Sequence, residues 1–364
     1  MSTALPDAAL APPPPPGLLG RILALAAPTT LASLFQAVAQ LGETWLAARQ
    51  GTAALAGWAA VLPFVLLLQQ MSAGAMGGGV VSAIARALGG GRRDEASALV
   101  LHAVLIAVTA GLGFAVLLAV FPRAVLGAIA GPEAAAAAAG YAIWLFGLGA
   151  VPVWLANTLG SVLRGGGRHG LVARVLCVAW VVYPVLGWFL AEKAGLGLAG
   201  LGLGYGISFC GAAGVLAVAV ARGEAGFAPT LRARPRAALF RRILAVGLVA
   251  CALATVANLA TILVTAQMRA HGVAAVAAYG ISARLEFLMI PLAFGVGSAL
   301  TALVGGAVGR GDWALARRTA WTGGALALVV AGVCGLAVSL APGAFAAFFS
   351  SDPEVVRIAA RALG

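Results

Sequence analysis

The sequence predicts an all-α polytopic membrane protein made of two pseudo-symmetric six-helix lobes, of which the second is incomplete. Three observations predict this class. Hydrophobic residues make up 62% of the 364-residue chain and charged residues only 9%, whereas a soluble domain carries about 25% charged residues. Apolar runs long enough to cross a bilayer follow one another. Similar segments recur at a separation of 221 residues.

The apolar runs predict about nine transmembrane helices and the start of a tenth near Glu354. The nine expected spans cover residues 22–47, 54–85, 97–121, 137–162, 171–191, 198–221, 243–268, 274–307 and 316–340. The second copy of the repeat is still incomplete at the last residue, so the sequence predicts a C-terminally truncated protein.

The basic residues predict how the chain is oriented. Residues 1–20 are proline-rich and lack the basic start of a signal peptide, so we expect a disordered cytoplasmic tail. With this end inside, sixteen arginines lie in or beside cytoplasmic loops, against five basic residues outside. This bias follows the positive-inside rule and predicts a multi-pass protein of a bacterial inner membrane.

Several other functions are not expected. The net charge of +12 does not indicate nucleic-acid binding, because the arginines lie at span ends and form no single patch. The four cysteines lie inside apolar runs without metal-ligand spacing, so no metal site is expected. No P-loop, Gly-x-Ser-x-Gly motif or catalytic carboxylate pair is present, so we expect neither an enzyme nor an organic cofactor.

The internal repeat divides the chain into two lobes. RILALAAP at residue 21 returns as RILAVGLV at residue 242, and GTAALAGW at residue 51 returns as GVAAVAAY at residue 272. GRRDEA at residue 91 matches GDWALA at residue 311, after a slip of one residue. The expected parts are an N-terminal six-helix lobe at 21–221, a basic cytoplasmic linker at 222–242 and a partial C-terminal lobe at 243–364. Parallel repeats of this kind place a substrate site between the lobes.

A polar stripe runs along the first span. Thr29, Ser33, Gln36, Gln40 and Glu43 recur at steps of four, three, four and three residues, which puts them on one helix face. Exposure of this stripe to lipid would be costly, so it is expected to face other helices or a water-filled cavity. Two interpretations remain open. The stripe binds neighbouring helices, with Glu43 near the outer end, or it lines a transport cavity in which Glu43 binds a cation or proton.

Further polar residues inside the spans are candidates for the lining of a substrate cavity. These are Asn157, Thr255, Asn258, Thr261, Thr265 and Glu286, together with Gln69, Gln70 and Thr158 as weaker candidates. Each has a structural alternative, which is a hydrogen bond within its own helix, a bond between helices or, for Glu286, an ion pair.

Four motifs in sequence order resemble those of the multidrug and toxic compound extrusion (MATE) family. They are GETWLAARQGTAALAG at 42–57, VSAIARALGGGRRDEA at 81–96, LRGGGRHG at 163–170 and GVAAVAAYGISARLEF at 272–287. The resemblance covers residue 21 to the end. It implies a secondary active exporter that exchanges organic cations or drugs for H⁺ or Na⁺. It also implies that Glu43 is the ion-coupling residue, because the family usually has an aspartate at this position.

The chain departs from the family at two other coupling positions. The Asn-x-x-x-Asp-Pro motif of many proton-coupled members is replaced by AWVVYP at 179–184, with Ala179 for the asparagine and Tyr183 for the aspartate. The seventh span lacks the glutamate of a sodium-coupled branch. The coupling ion therefore stays open between H⁺ and Na⁺.

The expected partners are a small organic cation or drug and the lipid bilayer, and a monomer is expected. Two alternatives stand beside the exporter. A lipid-linked sugar flippase of the same superfamily would place arginines such as Arg284 and Arg269 in its cavity. A truncated fragment without transport activity is the second alternative.

Overall fold

A computed structural model describes residues 17–230, 234–269, 273–349 and 352–363, and all regular elements in these ranges are helical. We number twelve helices in chain order. They are α1 (Leu18–Arg49), α2 (Thr52–Gly89), α3 (Arg93–Val120), α4 (Pro122–Ala130), α5 (Pro132–Gly165), α6 (His169–Lys193), α7 (Gly197–Ala221), α8 (Ala237–Arg269), α9 (Val273–Gly309), α10 (Trp313–Leu340), α11 (Pro342–Phe349) and α12 (Pro353–Leu363).

The predicted fold class and its nine spans are confirmed. In the described part of the chain, nine helices are long and apolar enough to cross a membrane, namely α1 to α3 and α5 to α10. The helices extend beyond the apolar runs because backbone hydrogen bonding continues past the hydrocarbon region. For the same reason α8 begins at Ala237, inside the predicted linker. The lobe boundaries themselves remain predictions.

Two short helices were not predicted. The helix α4 has 9 residues and α11 has 8, so neither gives an apolar run of spanning length. Each begins with a proline that follows the end of a spanning helix after one intervening residue, and proline is well suited to the first helical position. The two helices are equivalent in the repeat, because Pro122 and Pro342 are 220 residues apart.

The remaining helices of the two halves also correspond. The lengths are 32 and 33 residues for α1 and α8, 38 and 37 for α2 and α9, and 28 each for α3 and α10. The one-residue slip of the repeat has a structural cause in α2. Its stretch Gln70–Ala75 is a π-helical turn, whereas α9 is α-helical throughout. A π-helical turn accommodates one additional residue without rotating the rest of the helix.

An aromatic cluster fixes α6 against α7. The ring of Trp180 lies 5.0 Å from that of Phe209, and the ring of Tyr183 lies 5.1 Å from that of Tyr205. All four side chains are buried. Edge-on aromatic pairs of this kind restrict ring orientation, so the two tyrosine hydroxyls are held in place.

Glycines bring the ends of α2 and α9 into direct backbone contact. A Cβ at Gly89 would lie 2.9 Å from both the Cα and the carbonyl carbon of Gly306, and a Cβ at Gly309 would lie 3.0 Å from the same atoms of Arg86. Gly309 and Gly306 are the repeat equivalents of Gly89 and Arg86, so the contact is pseudo-twofold. We call this end of the bundle, which also carries Arg92 and Arg310, the arginine-rich end.

The segment that joins the two halves is attached to α3 near this end. The Ser97 hydroxyl donates to the Ala228 carbonyl at 2.7 Å, and the Arg236 backbone N–H donates to Nε2 of His102 at 2.8 Å. Glu95 forms ion pairs with both Arg92 and Arg242, and Arg242 lies in the first turns of α8. These contacts fix the start of α8 against the N-terminal half.

Candidate functional site

A cavity of about 360 Å³ lies between the two halves, and we call it the central cavity. Its walls come from the middle parts of α1, α2, α8 and α9. The polar lining residues are Ser33, Gln36, Gln40, Gln69 and Gln70, and the apolar ones include Leu66, Ala250, Ala254, Ile290, Pro291 and Phe294. The volume falls in the range of about 300–1,000 Å³ typical of small-molecule sites. No acidic or basic side chain is among the described residues that line it.

The polar stripe of α1 points into the protein along its whole length. Ser33, Gln36 and Gln40 line the central cavity. Thr29 is buried, and its hydroxyl lies 3.1 Å from Nδ1 of His169 on α6. Glu43 is also buried. The five residues therefore face neighbouring helices and the cavity, as their spacing predicts.

Glu43 lies one helical turn beyond the cavity, in an aromatic pocket. Its side chain is 3% exposed, and the Tyr141 hydroxyl donates to its Oε1 at 2.5 Å. The Tyr183 hydroxyl and the Trp58 indole also lie beside the carboxylate, although Tyr183 does not complete a hydrogen bond. No described Arg, Lys or His lies within 4.0 Å of the carboxylate.

This environment limits the states that the Glu43 carboxylate can adopt. A buried carboxylate without a basic partner is costly in its free ionised form. A proton or a bound cation removes that cost, and tyrosine hydroxyls are suitable neighbours for either form. Tyr183, which stands where the resemblance led us to expect an aspartate, is thus a neighbour of Glu43. The sequence pattern alone did not identify Tyr141.

A hydrogen-bonded network connects the cavity wall to the interior of the N-terminal half. The Asn157 side-chain amide donates to the Ser72 hydroxyl at 2.8 Å and to Oε1 of Gln69 at 3.2 Å. Gln69 in turn donates to the Tyr205 hydroxyl at 2.7 Å. Ser72 lies in the π-helical turn of α2. Asn157 therefore holds Gln69 in place at the central cavity, and it lines a small adjoining cavity together with Ser33 and Gln36. Its predicted role in the substrate cavity stays a prediction.

The polar residues predicted on the cavity face of α8 form hydrogen bonds beside the central cavity, and their role in substrate binding stays a prediction. The Thr255 hydroxyl donates to the Cys251 carbonyl at 2.9 Å, within its own helix. Asn258 donates to Oε1 of Gln70 at 2.8 Å and thereby joins α8 to α2. Neither residue lines the central cavity, where α8 contributes Ala250 and Ala254. The side chains of Thr261, Thr265 and Glu286, like those of Arg269 and Arg284, lie outside the described residues.

The sequence pattern missed Arg164, which it assigned to a cytoplasmic loop. The residue lies in the last turn of α5 and is 3% exposed. It lines a second cavity of about 210 Å³ between the central cavity and the arginine-rich end, which we call the Arg164 chamber. The central cavity and the Arg164 chamber share the lining residues Ala73, Gly74 and Phe294. A glycine-rich, basic stretch gives no sequence signal that one of its arginines turns inward.

Comparison with known families agrees with this architecture. The MatE family model matches residues 28–189 and again residues 248–364. The chain belongs to the MatE family. The two matched regions of this MatE protein begin 220 residues apart, within one residue of the separation of the repeat there.

Solved structures show the same fold. A MATE transporter in the straight conformation aligns with a TM-score of 0.86 and 21% identity, over 96% of this chain and 78% of that one. An outward-facing multidrug resistance MATE transporter aligns with a TM-score of 0.84 at the same identity and coverage. A transporter of the MOP superfamily from Pyrococcus furiosus, described by the reverse polarity of its binding pocket, gives 0.85, again at 21% identity, with 96% and 78% coverage. Comparison with curated protein sequences gave no match.

Proposed function

We propose that this MatE protein is a secondary active exporter that exchanges organic cations or drugs for H⁺ or Na⁺. The observation that carries the proposal is Glu43, a carboxylate buried one turn from the central cavity, hydrogen-bonded to Tyr141 and without a basic partner among the described side chains. Such a group can be neutralised by an ion, and its neutralisation can be coupled to the state of the adjacent cavity. The proposal includes a monomer in a bacterial inner membrane with a cytoplasmic N-terminus, and no cofactor or catalytic residue.

The cavity supports a cationic substrate through its amide side chains. Gln36 and Gln40 offer carbonyl oxygens, and the ring of Phe294 offers a π face to a cation. The carbonyl oxygens of Gln69 and Gln70 each keep one lone pair beside the bonds from Asn157 and Asn258. The apolar wall matches the body of an organic molecule. In this arrangement substrate and coupling ion occupy adjacent sites on α1, so binding of one alters the environment of the other.

The two halves provide the moving parts. At the arginine-rich end the two halves are in contact, because Gly89 packs against Gly306 and Gly309 packs against Arg86. If this end is cytoplasmic, as the arginine distribution predicts, the described arrangement is closed to the cytoplasm. Transport then requires that this contact opens, which is the rocking of two repeats around a central site.

The test is ethidium transport by the full chain in vesicles, with a proton gradient or a sodium gradient imposed separately. We expect transport with one gradient and its loss in Glu43→Gln, which keeps the size of the side chain. Glu133→Gln is the matched control, because Glu133 is an exposed carboxylate in the first turn of α5. Undiminished gradient-driven transport by Glu43→Gln would refute the coupling role. Lack of transport by the wild-type chain would favour the non-transporting alternative.

A lipid-linked sugar flippase is the second candidate, and one observation favours it. Arg164 places a positive charge beside the central cavity, which is a feature expected for anionic head groups. The same vesicles distinguish the two candidates, since translocation of a fluorescent lipid-linked sugar without ethidium transport would select the flippase.

A further inference from the structure

The Arg164 chamber contains two buried polar groups without a hydrogen-bond partner among the described residues, and the proposed cation exporter uses neither. Its walls come from α2, α5 and α9, and its polar members are Arg164, Ser298 and Thr301. The Thr301 hydroxyl is satisfied by the Gly297 carbonyl at 2.8 Å. The Ser298 hydroxyl and Nε of Arg164 are buried and make no hydrogen bond to any residue that the structure describes.

Arg164 is a buried charge without a counter-ion among the described side chains. Its Nη2 donates to the Ser161 hydroxyl at 3.2 Å, and its Cζ lies 5.8 Å from the centre of the Phe294 ring. No described carboxylate lies within 4.0 Å of the guanidinium. A guanidinium has five N–H donors, and burying it without an anionic partner is strongly unfavourable. The arrangement is therefore incomplete without an acceptor in the chamber.

The geometry points to an oxyanion as that acceptor. The forked guanidinium matches two oxygens of a carboxylate or phosphate, and the Ser298 hydroxyl can donate to a third acceptor position from the wall formed by α9. A chamber of about 210 Å³ is smaller than a typical drug-sized site. It adjoins the central cavity, since Ala73, Gly74 and Phe294 line both, and the central cavity has room for the apolar part of a larger molecule.

We propose that the Arg164 chamber binds the carboxylate or phosphate group of an amphiphilic molecule whose apolar part lies in the central cavity. The inference rests on the proposed function only in treating the central cavity as a substrate site. It adds a substrate class, molecules that carry an oxyanion, to the cations that the amides and Phe294 accommodate. Molecules with both charges would use both sites.

The test measures equilibrium binding to the purified full chain in lipid nanodiscs, without any ion gradient. The probes are benzoate and phenyl phosphate, with benzyl alcohol as the neutral probe of similar size. We expect wild-type protein to bind both anions at least 10-fold more tightly than benzyl alcohol, and Arg164→Gln to weaken anion binding about 10-fold or more, as for a charge-assisted hydrogen bond of roughly 1.5–3 kcal/mol.

Matched variants separate this effect from a general loss of charge or of folding. Arg174→Gln removes an exposed arginine at the same end of the next helix and should leave binding unchanged. Arg164→Lys keeps the charge and should retain part of the affinity. Ser298→Ala should weaken anion binding several-fold. If Arg164→Gln does not fold, this variant tests whether the chamber binds the anion. Unchanged anion affinity in a folded Arg164→Gln, or in Ser298→Ala if Arg164→Gln does not fold, would overturn the proposal.

Two further outcomes would also overturn it. Benzoate that binds no better than benzyl alcohol would exclude an oxyanion site, and inorganic phosphate that binds as tightly as phenyl phosphate would assign the chamber to a free ion. Failure of this inference is distinguishable from failure of the proposed function. Glu43→Gln should keep its anion binding while it loses gradient-driven transport.

Discussion

The glycine contact between α2 and α9 predicts that one added methyl group opens the arginine-rich end. In Gly309→Ala, the new Cβ would lie 3.0 Å from the carbonyl carbon and Cα of Arg86, and closer still to its carbonyl oxygen. These are backbone atoms, so no side-chain rotation relieves the overlap. The helices must separate by roughly 1 Å, which costs about 1–3 kcal/mol for overpacking of this kind.

The assay measures the distance between spin labels at Arg93 and Trp313 in a background without the four cysteines. These exposed residues begin α3 and α10 and are equivalent in the repeat. A destabilisation of about 1–3 kcal/mol corresponds to a roughly 5–150-fold increase in the ratio of open to closed forms. Gly309→Ala should therefore shift the distribution toward longer distances.

The matched control is Gly306→Ala, because a Cβ at Gly306 meets only the Arg310 side chain at an ordinary 3.6 Å. Gly89→Ala should act like Gly309→Ala. The double variant should cost less than the sum of the two, since one separation of the helices relieves both overlaps. An unchanged distance distribution in Gly309→Ala, or the same shift in Gly306→Ala, would refute the assignment of a gate to this contact.

Three further predictions concern individual hydrogen bonds. Tyr141→Phe should weaken ion binding by about 1.5–3 kcal/mol, because it removes the donor to Glu43, and the ion-concentration dependence of ethidium transport should shift while the protein stays folded. Asn258→Leu should lower the free energy of unfolding by about 0.5–1.5 kcal/mol, because it removes the hydrogen bond to Gln70. A double-mutant cycle with Gln70→Leu should show a coupling energy between the two residues, and a coupling energy of zero would contradict the contact. Asp312→Ala should destabilise α10 by about 0.5–2 kcal/mol in thermal unfolding, with Asp312→Asn nearly neutral, because the side chain caps the helix by accepting from the Leu315 N–H at 2.9 Å.

The global fold was predictable because the bilayer imposes strict requirements on the sequence. Every spanning helix needs a long apolar run, and polar groups within such a run must face the protein. The stripe on α1 followed this rule, so the inward position of Ser33, Gln36, Gln40 and Glu43 could be read from spacing alone. The short helices α4 and α11 escaped detection because this requirement does not apply to segments that do not span.

The site was only partly predictable, since its contacts join residues that are distant in sequence. Tyr141 reaches Glu43 across 98 positions, and Asn258 reaches Gln70 across 188. Helical periodicity predicts which residues share a face but not which neighbour that face meets. Thr255 illustrates this limit, because its hydroxyl is satisfied within α8 and small alanines form the cavity wall.

Arg164 was predicted to be exposed in the cytoplasm, but it is buried. Arginines near span ends are normally exposed to water, and the charge count treats all of them alike. The inward turn of Arg164 depends on how α5 packs against α2 and α9. The guanidinium lies over Phe294 of α9 and donates to Ser161 of its own helix. No local sequence feature distinguishes it from Arg168, which is exposed and paired with Glu224.

The π-helical turn of α2 keeps the two halves in register, yet the walls that they present to the cavity differ. An insertion that was not absorbed would rotate the following part of the helix by about 100° and shift it by about 1.5 Å. Because the turn absorbs it, the glycines beyond it keep their symmetric partners, while Gln70 stands where α9 has Pro291. One wall of the cavity is thus amide and the opposite wall is proline and phenylalanine. The cavity can therefore distinguish the two orientations of a bound molecule, which a cavity with two identical walls could not do.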